Sequence, residues 1–578
     1  MPTSDGPMSL EGPVQQRGSV VPIDGSKSFL GACIGAAWSS RGQLGWGLDV
    51  LRYGVCGDCA LGTVGWRDEL RPGLHLCSRR LDGLRRWTRG PLNLGLLPPV
   101  DELKGRSVVE LRSLGRLPVP LLWRCDQPGF VPLEWDDALK LGAARLRESE
   151  GRWALGIEAG LPSNEGVYAL AQLARSRSPS RVGILESGSF RAVSSAMEEV
   201  LGSDAATCSL SDLSSADCIT VWGSTPGDEP LLSQHLAAAQ SRGARVFDLS
   251  ALSPEQSALA AWVMAAWLFS SGSLDRSFLE RRCSGGDRFC SRLQSESLLL
   301  DEAGGRGREE LEGWAEQLSR SASTVFLMGS GLGAGEHGRS ASEAVLALSL
   351  LLGLPGCPGS GLLPVGWPAG YRAVRDLGLL LEPESPEPSP DLGRSDAAGS
   401  ALDLLYLVGW GGEESTLPTE ALSQASFRIH QTVDLDPSVL CPATEAVLVL
   451  PMQSRFEQAG GATFTSSDRR VRFSPEIRGH RIGESRPDWW ISQSLLQSSS
   501  VPAWDDGDAV RRAIAREGNN YRPIGGLFAA GDSFQWGGPS PWSERFPTED
   551  GKARLPPVPS LVQPQTLDLA MDSAAKGD

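Results

Sequence analysis

The sequence predicts an α/β protein built around parallel sheets. Three observations predict it. Short apolar runs recur along the chain, among them Asp217–Trp222, Ala244–Asp248 and Thr324–Met328. Glycine-rich turns follow several of these runs, and helical stretches follow the turns, which is the rhythm of βαβ units. Hydrophobic residues make up 40% of the 578 positions, enough for sizeable cores and too many for a disordered or collagen-like chain. At roughly 100–200 residues per domain, this length implies several compact units.

Residues 1–27 are rich in Gly, Pro, Ser and Gln and are expected to form a loose arm. Residues 28–135 alternate short apolar runs with Gly and Pro and contain a Cys cluster, so a small Cys-containing domain is expected there; Leu103–Leu117 is amphipathic without a strong helical stripe. Glu134-Trp135-Asp136-Asp137 opens a helix, because early carboxylates suit the positive end of the helix dipole. Trp153–Glu158 is a short apolar run, and Ser163-Asn164-Glu165 opens a helix through Arg175. Pro230–Arg242 is the crossover helix between two strands. After Thr324–Met328 comes Gly329-Ser330-Gly331-Leu332-Gly333-Ala334, then a helix through Leu352. Residues 136–355 are therefore read as one α/β region and 356–555 as a second, with a Pro- and Ser-dense linker at 382–400. The second region carries Leu402–Val408, the turn from Gly409, a helix near Leu417–Ala425 and runs at Phe427–Val433 and Ala446–Leu450. The tail, 556–578, is polar and expected to be disordered.

Charge and cysteine content exclude several function classes. The 54 basic and 70 acidic residues give a net charge of −16, which disfavours general nucleic-acid binding but permits local Arg clusters. Eleven Cys is an odd number at low density, unlike a secreted disulfide framework. The apolar stretches Ala258–Phe269 and Ala344–Leu352 are too short to span a bilayer, and Met1–Val21 lacks the pattern of a signal peptide. The expectation is a cytoplasmic protein without membrane insertion.

Two patterns carry chemistry. Cys56-Gly57-Asp58-Cys59 is a C-x2-C knuckle, and Cys77 follows. Thiolates at this spacing can reach one metal ion, with Cys33, Asp58 or His75 as a further ligand; Thr63 stands where another close Cys would help an iron–sulfur site. Zinc and three reduced thiols are the other readings. The second pattern is the strand–glycine–helix turn, at Gly223, Gly329-Gly331-Gly333 and Gly409. Such turns expose backbone N–H groups to phosphate, although a single one is as often a plain tight turn. A nicotinamide fold would add an acidic strand end about 20 residues further on. Leu354–Gly359 is no strand, which argues against an NAD-dependent dehydrogenase. His75, His235, His337, His430 and His480 form no metal-type i, i+4 pair.

Taken in order, these segments resemble the molybdopterin oxidoreductases, particularly formate-dehydrogenase-like members. The resemblance rests on Val55–Cys59 with His75–Cys77, Phe130–Leu139, Ser163–Glu165, Asp212–Asp217 with Val221–Pro226, and Gly243–Asp248. It continues through Cys357–Pro364, Phe456–Thr465, Arg486–Trp490 and Phe546–Arg554. It implies two related doubly wound parallel-sheet domains holding a molybdenum bis(molybdopterin guanine dinucleotide), beside a 4Fe–4S cluster in the Cys domain. By resemblance Ser163, Asn164, Glu165, Gly223, Ser224, Thr225 and Asp248 serve the cofactor, Gly329, Gly331, Gly333 and Gly409 line its other half, and Cys56, Cys59 and Cys77 are metal ligands.

The implied function is two-electron oxidation or reduction of a small molecule, with an electron-transfer or assembly partner. Departures support an alternative, a catalytically inactive scaffold or partner subunit. Thr225 replaces the usual Asn, Leu249-Ser250 replaces Pro-Arg, and Glu186-Ser187 stands where relatives carry Cys-His. The β-barrel that covers both pterins in relatives is expected to be absent from this chain.

Overall fold

The computed structural model describes residues 42–66, 78–186, 188–223, 229–303, 307–380, 402–410, 419–496, 503–517 and 520–559. The expected arm, Cys33, His75, Cys77, Ser187, Ser224, Thr225, the 382–400 linker and the tail beyond 559 lie outside these residues.

The strands, in chain order, begin with β1 (Leu121–Arg124), β2 (Val131–Pro132), β3 (Trp153–Ile157), β4 (Arg181–Ile184), β5 (Cys218–Trp222) and β6 (Arg245–Leu249). They continue with β7 (Cys283–Ser284), β8 (Thr324–Gly329), β9 (Gly361–Val365), β10 (Leu404–Val408), β11 (Phe427–Thr432) and β12 (Ala446–Pro451). Two main sheets result. The first has seven strands in the order β2-β1-β12-β11-β10-β3-β4, and the second has four, β6-β5-β8-β9. Every pair in the second sheet is parallel. In the first, β12 through β4 are parallel, and β1 and β2 add an antiparallel edge.

The residue pattern explains the pairing. Strands β3, β5, β8 and β10 read WALGI, CITVW, TVFLMG and LLYLV and are buried at every position. A parallel sheet covered by helices on both faces requires such continuous runs. Register is in phase across the centre, with Leu404 opposite both Trp153 and Phe427. The covering helices are well capped. Ser163 Oγ accepts from Gly166 N at 3.0 Å to start Asn164–Arg177, and Ser253 with Gln256 makes a capping box for Pro254–Ser270. Pro254–Ser270 packs on Gly338–Leu351, both mostly buried.

The expected divisions at 135/136 and 355/356 fall inside sheets rather than between them. β1 and β2 lie in the expected Cys domain yet extend the first sheet through β12. The chain leaves the first sheet after β4, builds the second over 218–365, and returns for β10–β12. Local texture follows chain order, whereas sheets join strands distant in sequence. A third, antiparallel sheet of β13 (Ala462–Thr465), β14 (Arg470–Ser474) and β15 (Ser533–Gln535) was not anticipated. Among the described residues no helix is long and apolar enough to cross a membrane.

Candidate functional site

In parallel sheets all carboxyl-terminal strand ends lie on one side, where ligands of α/β proteins collect. Here the two main sheets point those ends at one cavity of about 530 Å³. From the first sheet come Glu158 after β3, Glu186 after β4 and Arg455 after β12. From the second come Ser330 after β8 and Gly366–Ala369 after β9. Arg86, from helix Ser78–Trp87, and Arg112, from helix Val108–Ser113, close one wall; Phe190 and Trp367, with ring centroids 5.8 Å apart, contribute apolar surface.

The cations are held differently. Arg86 makes two bonds to Asp434, at 2.7 and 2.9 Å, and is thereby locked. Burial alone would raise the Asp434 carboxyl, but Arg86, Arg112 and Arg116 hold it below the usual range. Arg455 is only 4% exposed; its Nη2 donates to Gly160 O at 2.8 Å and its guanidinium carbon lies 4.5 Å from the Phe464 ring centroid. Its Nε and Nη1 have no hydrogen-bond partner, nor does Arg112 Nε. Burial lowers the Arg455 pKa, and Asp58 and Cys56 oppose that shift.

The carboxylates also differ. Glu158 Oε2 accepts from Trp410 N at 3.0 Å. Glu186 Oε1 accepts from Ala159 N at 2.8 Å, while its Oε2 has no partner. Burial, with the neighbouring Glu158 charge added, pushes Glu186 up to about 8, which favours its protonated form.

Few of the residues singled out in the sequence meet this cavity. Cys59 borders it, and Cys56 borders adjoining spaces of only about 20 and 10 Å³. Gly331 and Gly223 face each other backbone to backbone, so a Cβ on either would collide with the other's turn, and Gly333 abuts Ser189 in the same way. Their smallness therefore serves packing between turns, and Ser330 is the residue of that turn that reaches the cavity. Gly409 has φ +79°, and a Cβ there would meet Glu158 Oε2 at 2.5 Å, so it backs a cavity carboxylate. Asp248 accepts from Ser250 N at 2.9 Å and is not a lining residue.

Ser163, Asn164 and Glu165 are buried and do not line the cavity. Ser163 donates to Asp488 at 2.6 Å (N) and 3.0 Å (Oγ), and Thr465 Oγ1 donates to Asn164 Oδ1 at 3.2 Å. Glu165 accepts from Thr463 N at 2.9 Å and from Arg511 Nη1 at 3.1 Å. These three residues join the helix to the third sheet and to the helices at 488 and 507.

Glu158 and Arg455 were overlooked as cavity residues, and Glu186 was noted only as a departure from the family. A signal existed, because each follows an apolar strand run that parallel pairing directs to the same end.

A family model described as molybdopterin oxidoreductase matches residues 116–498. The chain belongs to the molybdopterin oxidoreductase family. It is similar to the Bacillus subtilis (strain 168) protein named "Probable oxidoreductase YjgC", with 26% identity over 529 residues, covering 78% of this chain and 51% of that one. The chain thus spans about half the length of this relative. It is also similar to the F420-dependent formate dehydrogenase subunit alpha of Methanocaldococcus jannaschii, with 23% identity over 479 residues, covering 74% of this chain and 68% of that one. Among solved structures, acetylene hydratase from Pelobacter acetylenicus superimposes with a TM-score of 0.60 at 12% identity, over 87% of this chain and 77% of that one. That likeness establishes the shared fold.

The family implies a molybdenum–pterin cofactor, and the anionic part of such a group suits the cavity. The guanidinium groups of Arg455 and Arg112 line it, with Arg112 Nε 3.9 Å from Asp434 Oδ1. Of the ligands the resemblance implies for an iron–sulfur cluster, Cys56 and Cys59 are described, and Cys77 lies outside the described residues. Among the described residues no three His, Cys, Asp or Glu stand together to hold a metal ion. Thr63 is 7% exposed, and its hydroxyl accepts from Arg80 Nη1 at 3.4 Å.

Proposed function

We propose that this chain is the cofactor-holding part of a molybdopterin-dependent oxidoreductase related to formate dehydrogenases, and that its cavity receives the phosphates of pterin guanine dinucleotide arms. The observation that carries this reading is the meeting of both sheets' carboxyl ends at one cavity beside a buried, incompletely bonded Arg455. When bound, the pterin-held molybdenum supplies the two-electron redox chemistry. The chain's own residues bind and orient. Arg455 and Arg112 offer N–H donors to oxyanions, Arg86 is fixed in place by Asp434, and Phe190 and Trp367 exclude water from one wall. A small-molecule substrate and an electron-transfer partner belong to this proposal.

The test is chemical analysis of the full chain purified from a pterin-competent host. Stoichiometric molybdenum with extractable pterin is expected, and Arg455→Gln should reduce the pterin content. Wild-type protein carrying neither would overturn the reading. One observation favours a second reading, a catalytically inactive scaffold or partner subunit: Glu186 borders the cavity where the resemblance places a Cys. A stable partner co-purifying with metal-free protein is the result that reading expects.

A further inference from the structure

One wall of the cavity is formed by Gly57, Asp58 and Cys59, part of a turn that the cofactor reading does not use. Backbone bonds close this turn: Cys56 N donates to Thr63 O at 2.8 Å, and Gly65 N donates to Gly54 O at 2.9 Å. Cys56 and Cys59 are the cysteines within it, and Thr63, whose hydroxyl accepts from Arg80, stands where a third would. Both thiols are reduced and partly exposed. Both border one small space of about 20 Å³, and Cys59 also lines the main cavity of about 530 Å³.

We propose that Cys56 and Cys59 are a thiol–disulfide exchange pair whose substrate is a small disulfide entering the cavity. This activity is independent of any bound pterin. Two cysteines separated by two residues are close enough in the chain to join within one turn, the spacing used by dithiol redox motifs. Between them, Gly57 is covered by a cation, because a Cβ there would collide with the Arg455 guanidinium. That guanidinium interacts with Cys56 and Asp58, and a cation beside a thiol favours the thiolate, which is the attacking form. Cys56 Sγ donates to Asp58 Oδ2 at 3.4 Å, which orients its sulfur within the turn.

Access sets the order of the two thiols. Cys59, at the main cavity, attacks one sulfur of the entering disulfide. A mixed disulfide forms on Cys59, the substrate S–S bond breaks, and half of the substrate departs as a thiolate. Cys56 then attacks Cys59 Sγ, forming the Cys56–Cys59 bond and releasing the second half. The substrate disulfide gains two electrons, the protein dithiol loses two, and both thiol protons leave on the released thiols.

The probe is 2-hydroxyethyl disulfide, which is small and uncharged. Full-length protein purified without oxygen is mixed with it, alkylated at timed intervals and mapped by mass spectrometry, with iron counted on the same sample. Wild type should form an intramolecular Cys56–Cys59 disulfide and release both halves of the probe as thiol. Cys56→Ser should stop at the mixed disulfide on Cys59. In Cys59→Ser, the remaining Cys56 should react roughly tenfold more slowly or less, because it does not line the main cavity. Several results would overturn the proposal: two thiols that stay reduced in the presence of the probe, a Cys56→Ser variant without the Cys59 adduct, or a bridge from either cysteine to Cys77. Wild type holding about four irons per chain, with both thiols shielded from alkylation, would overturn it as well and assign the pair to a cluster.

Discussion

Glu165, singled out by its motif, is bonded within the fold. Its side chain is fully buried, and Arg511, at 1% exposure, pairs with it at 3.1 Å while Thr463 donates from its backbone. Burial raises the Glu165 carboxyl, and Arg511 opposes that shift. Removing Glu165 leaves the buried Arg511 with Asp508, at 3.7 Å, as its carboxylate, so the cost stays below the roughly 3–5 kcal/mol of a fully uncompensated buried charge. Glu165→Ala should therefore lower the denaturation midpoint of protein containing no cofactor, as read by circular dichroism. An unchanged midpoint would mean that Glu165 does not support the fold. The sequence could not separate these roles, because Ser163-Asn164-Glu165 looks identical whether its side chains meet a ligand or Asp488, Thr465 and Arg511. Glu186 was legible only as a departure from the family, and its importance comes from the strand end on which it stands.

At the scale of elements, the parallel strands were the readable part. Strands such as β10 and β8 are buried along their length, and their unbroken apolar runs survive in the sequence. The third sheet was hidden because β14 is Arg-Val-Arg-Phe-Ser, whose arginines look like surface residues. Arg472 is nevertheless buried at 2% exposure, with Nη1 donating to Ser466 Oγ at 2.7 Å and to Leu61 O at 3.2 Å. A buried polar group is tolerated where such partners exist, and those partners are set by tertiary structure. The glycine turns were located in sequence, and in the fold they also allow close contacts between turns. Gly331 lets its turn lie against that of Gly223. Gly331→Ala should overpack this contact and cost roughly 1–3 kcal/mol in the absence of any ligand. If the glycine served only phosphate, thermal unfolding of the cofactor-free variant would match wild type and only pterin binding would suffer.

For the whole molecule, topology does what no single motif does. The chain carries a net charge of −16, and at the point where its two parallel sheets converge Arg79, Arg86, Arg112 and Arg455 stand among Asp58, Glu158, Glu186 and Glu229. That placement depends on the excursion between β4 and β10, which builds the second sheet and turns its strand ends toward those of the first. Sequence order revealed two α/β regions but not their interleaving, because β3 pairs with β10 across the entire second sheet. The account rests on both sheets serving one ligand. The most direct measurement is anomalous diffraction at the molybdenum absorption edge from crystals of the full chain grown from a pterin-competent host. The predicted result is a single strong peak inside the cavity bordered by Glu186, Arg455 and Trp367, with pterin density reaching toward the strand ends of both sheets. A metal peak elsewhere, or a cavity filled by protein side chains in crystals that contain molybdenum, would contradict it.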